Sequence, residues 1–195
     1  MLSRRTAVAL LVFSLLCTVA GSASAADPVS LFDGKTLDGW DVINCEAVVE
    51  DGAILLKSGN GLVQAKKRYK DFVLEYEWKA LHPTRWDSGV YFRYDTVPAG
   101  RPWPARYQVN LRKGMEGDIG SFPNGKNTVA TKQGEWNTFE LTVKGSTASL
   151  KVNGKSSWSV DGVGPAEGLL AIQAEVPGGG QFLFRSIRIT ELDGK

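Results

Sequence analysis

The sequence predicts an all-β domain, a β-sandwich or jelly roll in which two antiparallel sheets pack face to face. Nearly every readable segment alternates apolar and polar residues with a period of two. These segments end at Gly, Asn, Asp or Pro, and the chain carries 22 glycines, as a fold of many short strands requires. Beyond the N-terminal apolar run, no long segment has helical periodicity.

Two tight hairpins are predicted from turn dipeptides. Asp51-Gly52 separates AVVE from AILLK, and Asn153-Gly154 separates SLKV from KSSWSV. Both dipeptides readily adopt the positive φ angles that two-residue hairpin turns need, so the flanking strands should pair in antiparallel fashion.

Two further strands show clear alternation, in FVLEYEWKA and TFELTVKG. Their predicted core faces consist of Phe72, Leu74, Tyr76, Trp78 and Ala80, and of Phe139, Leu141 and Val143. Glu75 and Glu77 resemble the carboxylate strand of retaining sandwich-fold glycosidases, which has a Glu-x-Asp-x-x-Glu pattern. Because Ala80 occupies the last position of that pattern, we interpret the two glutamates as surface charges.

Three segments together predict a polar binding surface. Their polar positions are Tyr91, Arg93 and Asp95 in DSGVYFRYD, Arg106, Gln108, Asn110 and Arg112 in RYQVNLR, and Gln173 and Glu175 in LLAIQAE. Amides, guanidinium groups and carboxylates suit the closely spaced hydroxyls of a sugar. Trp86 and Trp103, on predicted loops, could stack on a sugar ring. The alternative is an ordinary solvated sheet face.

The N-terminus predicts export. Residues 1–25 combine a basic start, an apolar run and the small residues Ala23-Ser24-Ala25, which is the pattern of a cleaved secretory signal peptide. Residues 26–195 are then one domain, of a size that supports a real core. We expect a periplasmic or extracellular protein without a membrane anchor in its mature form.

Charge and residue usage exclude several classes of function. Without Arg4 and Arg5 of the signal, the 23 Lys and Arg fall to the same number as the 21 Asp and Glu, so no basic footprint for nucleic acid remains. His82 is the sole histidine, which excludes a zinc site and leaves a Ser-His-Asp triad without support. No cofactor is predicted, and calcium bound through Asp, Glu and backbone oxygens stays open.

The chain resembles the family of 3-keto-disaccharide hydrolases, described also as 3-keto-α-glucoside 1,2-lyases and 3-keto-2-hydroxyglucal hydratases. The segments that carry the resemblance are, in order, SLFDGKTLDGW, DSGVYFR, YQVNL with GDIGS, GEWNTFELTVKG with KVNGK, and GLLAIQAEVPGGGQFLFRSIRITEL. The resemblance implies a concanavalin-like jelly roll and an enzyme acting on 3-keto glucosides. The expected mechanism removes the C2 proton, eliminates the C1 substituent and hydrates the product.

The same resemblance implies roles for individual residues. Asp118 or Glu175 would supply proton transfer as the catalytic carboxylate. The resemblance implies substrate binding by Asp87, Arg93, Gln108 and Gln173. The polar surface adds Tyr91, Trp103, Arg106 and Asn110 to the predicted substrate-binding set. Many relatives carry Glu at the position of Arg106, so this chain departs from the family pattern there. The alternative function is a non-catalytic carbohydrate-binding module that uses the same surface, and a small-molecule carbohydrate is the expected partner in both cases.

Overall fold

The computed structural model describes residues 27–192 and consists of strands, turns and loops. The strands are β1 (Val29–Ser30), β2 (Trp40–Glu50), β3 (Ala53–Ala65), β4 (Phe72–Ala80), β5 (Gly89–Tyr94), β6 (Gln108–Asn110), β7 (Asn137–Lys144), β8 (Thr147–Val152), β9 (Lys155–Asp161), β10 (Leu169–Val176) and β11 (Phe182–Glu191). Over these residues no helix is long and apolar enough to cross a membrane. The predicted signal peptide lies outside the described residues.

The predicted all-β, antiparallel architecture is confirmed. The two hairpin turns also form as predicted, because Asp51 and Gly52 have φ angles of 48° and 76°, and Asn153 and Gly154 have 50° and 77°. Within residues 27–192 every strand pairing is antiparallel.

The division into two separate sheets is not seen in the hydrogen bonding. One continuous path runs β6-β5-β10-β3-β11-β4-β7-β8-β9, with β1 beside β11 and β2 beside β3. The continuity comes from β3, whose first half pairs with β11 and whose second half pairs with β10. Strand β2 follows β3 along its other edge, with two register shifts. The β2–β3 hairpin thus joins the two halves of a curled sheet.

Glycines allow β3 to change partners beside β2. Gly59 has a φ angle of 90°, and a Cβ added there would lie 2.8 Å from the Cα of Cys45. A Cβ added at Gly61 would overlap the carbonyl oxygen of Ile43 and lie 2.7 Å from the carbonyl carbon of Asn44. Only residues without a side chain let the two backbones approach this closely.

The core lies inside the curl and follows the predicted alternation. In β4 the five predicted apolar positions are all buried, as are the three in β7. On the outer side, Glu77 pairs with Arg185 at 2.8 Å and Glu75 with Arg188 at 3.6 Å. The two glutamates are therefore neutralised by β11, which agrees with their interpretation as surface charges.

Gly61→Ala should lower the free energy of unfolding by about 3 kcal/mol, the upper part of the usual range for overpacking, because the added methyl group would push β2 away from β3. Chemical denaturation measures the effect. Gly120→Ala is the matched control, since a Cβ at Gly120 meets nothing within 4 Å. Equal stability of the two variants would contradict the proposed role of Gly61.

Candidate functional site

The candidate site lies on the side of β6, β5, β10 and β3 that faces away from the core. We call it the site face. Strand register places its outward side chains in two rows, Gln108, Tyr91, Ala171 and Gln64 in one, and Asn110, Gly89, Gln173 and Leu62 in the next. The sequence prediction that these three segments share one surface is therefore correct for β5, β6 and β10.

Two amides form a chain that ends on a carboxylate. The Nε2 of Gln108 donates to the Oε1 of Gln173, and the Nε2 of Gln173 donates to the Oε2 of Glu175 at 2.9 Å. Gln173 is only 3% exposed. Since its oxygen accepts and its nitrogen donates, the orientation of its amide is determined from both sides. Gln173 therefore holds Glu175 in one position.

A missing side chain makes this chain of amides possible. Gly89 lies between Asn110 and Gln173 in its row, and a Cβ added there would lie 2.7 Å from the Cγ and Cδ of Gln108. Gln108 thus reaches Gln173 across the bare backbone of β5. This close crossing explains why the segment DSGVYFR has glycine at position 89.

Asp87 joins Glu175 at the end of the two strands. The backbone N–H of Asp87 donates to the carbonyl of Gly179 at 2.8 Å, and the N–H of Gly179 donates to the carbonyl of Glu175 at 2.5 Å. A Cβ at Gly179 would lie 2.9 Å from that carbonyl oxygen. The Gly-rich turn after β10 therefore links the two acidic residues through backbone hydrogen bonds.

Both carboxyl groups hold protons more tightly than usual. Burial raises the pKa of Glu175, the negative charge of Asp87 raises it further, and the hydrogen bond from Gln173 only partly opposes this. Burial also raises the pKa of Asp87, against the opposing charge of Arg112, whose Nε lies 3.8 Å from its Oδ2. A carboxylate with a raised pKa is a stronger base, as proton abstraction requires.

An apolar cluster underlies the polar groups. It comprises Leu62, Tyr91, Tyr94 and Ala171, with Trp103 packed against it. The Nε1 of Trp103 donates to the carbonyl of Ala174 at 3.1 Å, and the hydroxyl of Tyr94 donates to the Oε1 of Gln64 at 2.8 Å. Trp103 is therefore anchored on the site face, where the sequence analysis placed it.

Asp118 lies in a different place from Glu175. Its carboxylate accepts hydrogen bonds from the Nζ of Lys126 and the backbone N–H of Asn127, both at 2.8 Å. It lines an open cleft of about 340 Å³ together with Glu116 and residues 127–131. Its backbone carbonyl accepts the N–H of Asn110 at 2.8 Å, so Asp118 lies along the outer edge of β6. Strands β6 and β5 therefore separate it from Glu175 on β10.

Arg93 is not on the site face, contrary to the sequence prediction. It lies at a bulge of β5 with a φ angle of 49°, which turns its side chain inward, where it is 1% exposed. Its guanidinium group donates to the carbonyls of Lys70 and Gly145 and forms an ion pair with Asp71 at 2.8 Å. Strict alternation fails here because the bulge adds one residue to β5.

Trp86 is also not where the sequence analysis placed it, on a loop where it could stack on a sugar ring. It is 7% exposed and belongs to the main core, and its Nε1 donates to Glu116 at 2.9 Å. His82 lies in the same loop, where its Nδ1 accepts the N–H groups of Thr84 and Arg85. Nδ1 of His82 therefore serves to hold the loop in place.

Arg106 and Asn110 lie at the β6 side of the site. Arg106 is exposed, with its guanidinium carbon 5.6 Å from the ring centroid of Tyr107. The Oδ1 of Asn110 accepts the backbone N–H of Arg112 at 2.6 Å. Residues 27–192 contain no group of three or more His, Cys, Asp or Glu side chains that could hold a metal ion.

The sequence analysis missed the role of the glycine turn. The signal was present as Pro-Gly-Gly-Gly directly after Gln-x-Glu, at residues 177–180. A run of glycines indicates a place where two stretches of backbone come close together, rather than side chains that carry chemistry. Arg112 was recognised as polar, but its pairing with Asp87 becomes visible only in the folded chain.

Several solved structures of similar fold carry names that refer to carbohydrates. A putative glycosyl hydrolase from Parabacteroides distasonis ATCC 8503 superposes with a TM-score of 0.68 at 20% identity, covering 85% of this chain and 94% of that one. The carbohydrate-binding module CBM66 from Bacillus subtilis gives 0.62 at 14% identity, covering 78% and 96%. The Emp47p carbohydrate recognition domain gives 0.59 at 14%, covering 88% and 99%. No curated protein matches the sequence.

The fold is that of an antiparallel all-β domain. The family model of the 3-keto-alpha-glucoside-1,2-lyase-like domain matches residues 27–190. The chain belongs to that family, as its motifs predict.

Arg93→Met should lower the free energy of unfolding by about 3 kcal/mol, because it leaves Asp71 and two backbone carbonyls without their buried cation. Thermal or urea unfolding measures the change. Arg106→Met is the control, because Arg106 is exposed. Unchanged stability of Arg93→Met would show that the guanidinium group is not needed to hold these segments together.

Proposed function

We propose that the protein is an enzyme that cleaves 3-keto glucosides by elimination and hydration, with net hydrolysis. The observation that carries the proposal is Glu175, a carboxylate with a raised pKa that Gln173 holds at the edge of the site face. Membership of the family supports the substrate class.

The chemistry explains why such a carboxylate is useful. A ketone at C3 makes the neighbouring C2 proton acidic, because the resulting carbanion delocalises into an enolate. Glu175 removes this proton, the C1–O bond breaks, and a 3-keto-2-hydroxyglucal forms. Water then adds back across the double bond. A base of raised pKa lowers the barrier of the first step, with a typical contribution of about 100-fold to 10,000-fold.

Glu175 is favoured over Asp118 as the base by its surroundings. The two carboxylate oxygens of Asp118 already accept hydrogen bonds from Lys126 and from the backbone N–H of Asn127. Glu175 lies near Asp87, and Gln173 joins it to Gln108. Asn110 lies in the same row as Gln173, and these side chains suit sugar hydroxyls. We propose that these groups and Trp103 bind the keto sugar.

We infer that the curled sheet is a two-layered, concanavalin-like jelly roll. Strand β3 belongs to both halves of the hydrogen-bonded path. Leu74 and Phe184 from one half line a small internal cavity together with Val90 and Ile172 from the other. Opposed halves with a shared core are the arrangement of a sandwich.

We also propose that the protein is exported. The support is the signal-peptide pattern of residues 1–25, which precede the residues 27–190 matched by the family model. Residues 26–195 would be the single mature domain, in the periplasm or outside the cell.

A carbohydrate-binding module is the second candidate function. It is favoured by the apolar cluster, against which the partly buried Trp103 packs and is anchored by its hydrogen bond to Ala174. Fold alone does not separate binders from enzymes.

The deciding experiment incubates the purified protein with a 3-keto glucoside and, separately, with the unoxidised glucoside. Sugar release is followed together with the ultraviolet absorbance of a conjugated enone. Release from the keto substrate alone is expected. Binding of either compound without release would support the binding module instead.

Glu175→Gln should lower turnover of a 3-keto glucoside by at least about 100-fold, because the amide cannot accept the C2 proton. In the wild type, kcat/KM should rise with pH through a pKa above the ordinary value of glutamate, since the base must be ionised. Steady-state kinetics over a pH series measures both effects.

Two further variants make this assignment testable. Glu50→Gln changes an exposed glutamate in the same way and should retain wild-type turnover. Asp118→Asn should lose less activity than Glu175→Gln. The reverse order would assign the base to Asp118.

Glu175→Gln should also stabilise the fold at neutral pH. When folding raises the pKa of a carboxyl group, the protein loses stability as pH rises through the folded-state pKa, because the ionised form is disfavoured in the native state. The melting temperature of the variant should exceed that of the wild type at pH 8. The difference should vanish below about pH 4, where the group is protonated in the unfolded chain as well. A difference independent of pH would contradict the raised pKa.

A further inference from the structure

The proposed elimination needs a proton donor as well as a base. When the C1–O bond breaks, the departing sugar or alcohol carries an alkoxide oxygen, and Glu175 in its ionised form has no proton to give. Burial raises the pKa of Asp87 as well, but the charge of Arg112, whose Nε lies 3.8 Å from its Oδ2, opposes that shift and favours the ionised form. A second group with a proton is therefore required on the site face.

Tyr91 occupies a suitable position. It lies on the site face between Gln108 of β6 and Ala171 of β10, one row from Gln173. Along its own strand it shares that face with Gly89, over whose bare backbone the side chain of Gln108 crosses. No side chain of β5 therefore separates the ring of Tyr91 from the acidic end of the site.

The hydroxyl of Tyr91 differs from those of its neighbours in having no partner. Within residues 27–192 it forms no hydrogen bond, although the residue is only 6% exposed. Tyr94, which packs edge-on against it at 6.4 Å between ring centroids, donates to Gln64. The indole N–H of Trp103 is likewise used by the carbonyl of Ala174. Of these three groups, Tyr91 alone retains a free proton.

We propose that Tyr91 is the proton donor to the leaving group, which rests on the proposed elimination at the same site. In the first step Glu175 takes the C2 proton, the electron pair forms the C1–C2 double bond, the C1–O bond breaks, and Tyr91 protonates the departing oxygen.

The second step restores both residues. The tyrosinate takes a proton from water, the resulting hydroxide forms a bond to C1 of the enone, and the C2 carbon of the enolate takes the proton held by Glu175. No oxidant, reductant or metal is consumed, and each proton returns to its original group.

The electrostatic surroundings agree with this role. Burial, together with the negative charges of Asp87 and Glu175, raises the pKa of Tyr91 to about 12, against the opposing charge of Arg101. Such a phenol keeps its proton at physiological pH. It is still a stronger acid than a simple hydroxyl such as water, with a pKa of about 15.7, so transfer to an alkoxide is downhill.

The test compares two 3-keto glucosides that differ in their leaving groups, methoxide and 4-nitrophenolate. Tyr91→Phe should lower kcat/KM for the methyl glucoside by at least about 100-fold, because a poor leaving group needs a proton. For the nitrophenyl glucoside the loss should stay within about threefold. Tyr94→Phe is the matched control and should keep wild-type rates on both.

The outcomes separate the two proposals. An equal loss by Tyr91→Phe on both substrates, or no loss on either, would overturn the role of Tyr91 while the wild-type activity upholds the proposed function. If the wild type releases neither leaving group, the proposed function fails and the role of Tyr91 fails with it. Melting curves of Tyr91→Phe and Tyr94→Phe identify a loss that results from unfolding.

Discussion

The close approach of the β2 and β3 backbones at Gly59 and Gly61 is the constraint on which the rest of the structure depends. It lets one continuous strand pair first with β11 and then with β10. The core strands β4 and β7 follow from the first pairing. Strands β5 and β6 of the site face extend the sheet from the pairing of β3 with β10. The position of Glu175 relative to the core therefore depends on Gly59 and Gly61, which have no side chain.

The site itself is also built on bare backbone. Gly89 lets Gln108 cross β5, and Gly179 lets Glu175 and Asp87 share one turn. Functional side chains on this face are therefore oriented by neighbours that cannot be replaced by larger residues. The arrangement concentrates rigidity where Glu175 needs a fixed direction, and the long loops outside the sheet are free of that requirement.

Alternation and turn chemistry were enough to predict the antiparallel strands, both hairpins and the faces of β4, β7 and β10. The prediction failed at Arg93, because a β-bulge has no reliable sequence signal and reverses the face of the residue it contains. It failed for Trp86 because burial of a loop depends on what packs over it. Asp118 lies in a motif segment, yet its hydrogen bonds to Lys126 and Asn127 depend on loop closure, which periodicity does not describe.

The irregular pairing of β2 has a consequence for how these molecules behave together. Beyond β3, the described residues give β2 no second strand partner, and Val42 on it is 40% exposed. Register shifts after Ile43 and after Glu46 break the strand into short pieces, and Asp41, Glu46 and Glu50 place negative charge along it. A foreign strand therefore finds no long, flat ladder to extend, which protects a concentrated solution of this protein from edge-to-edge aggregation.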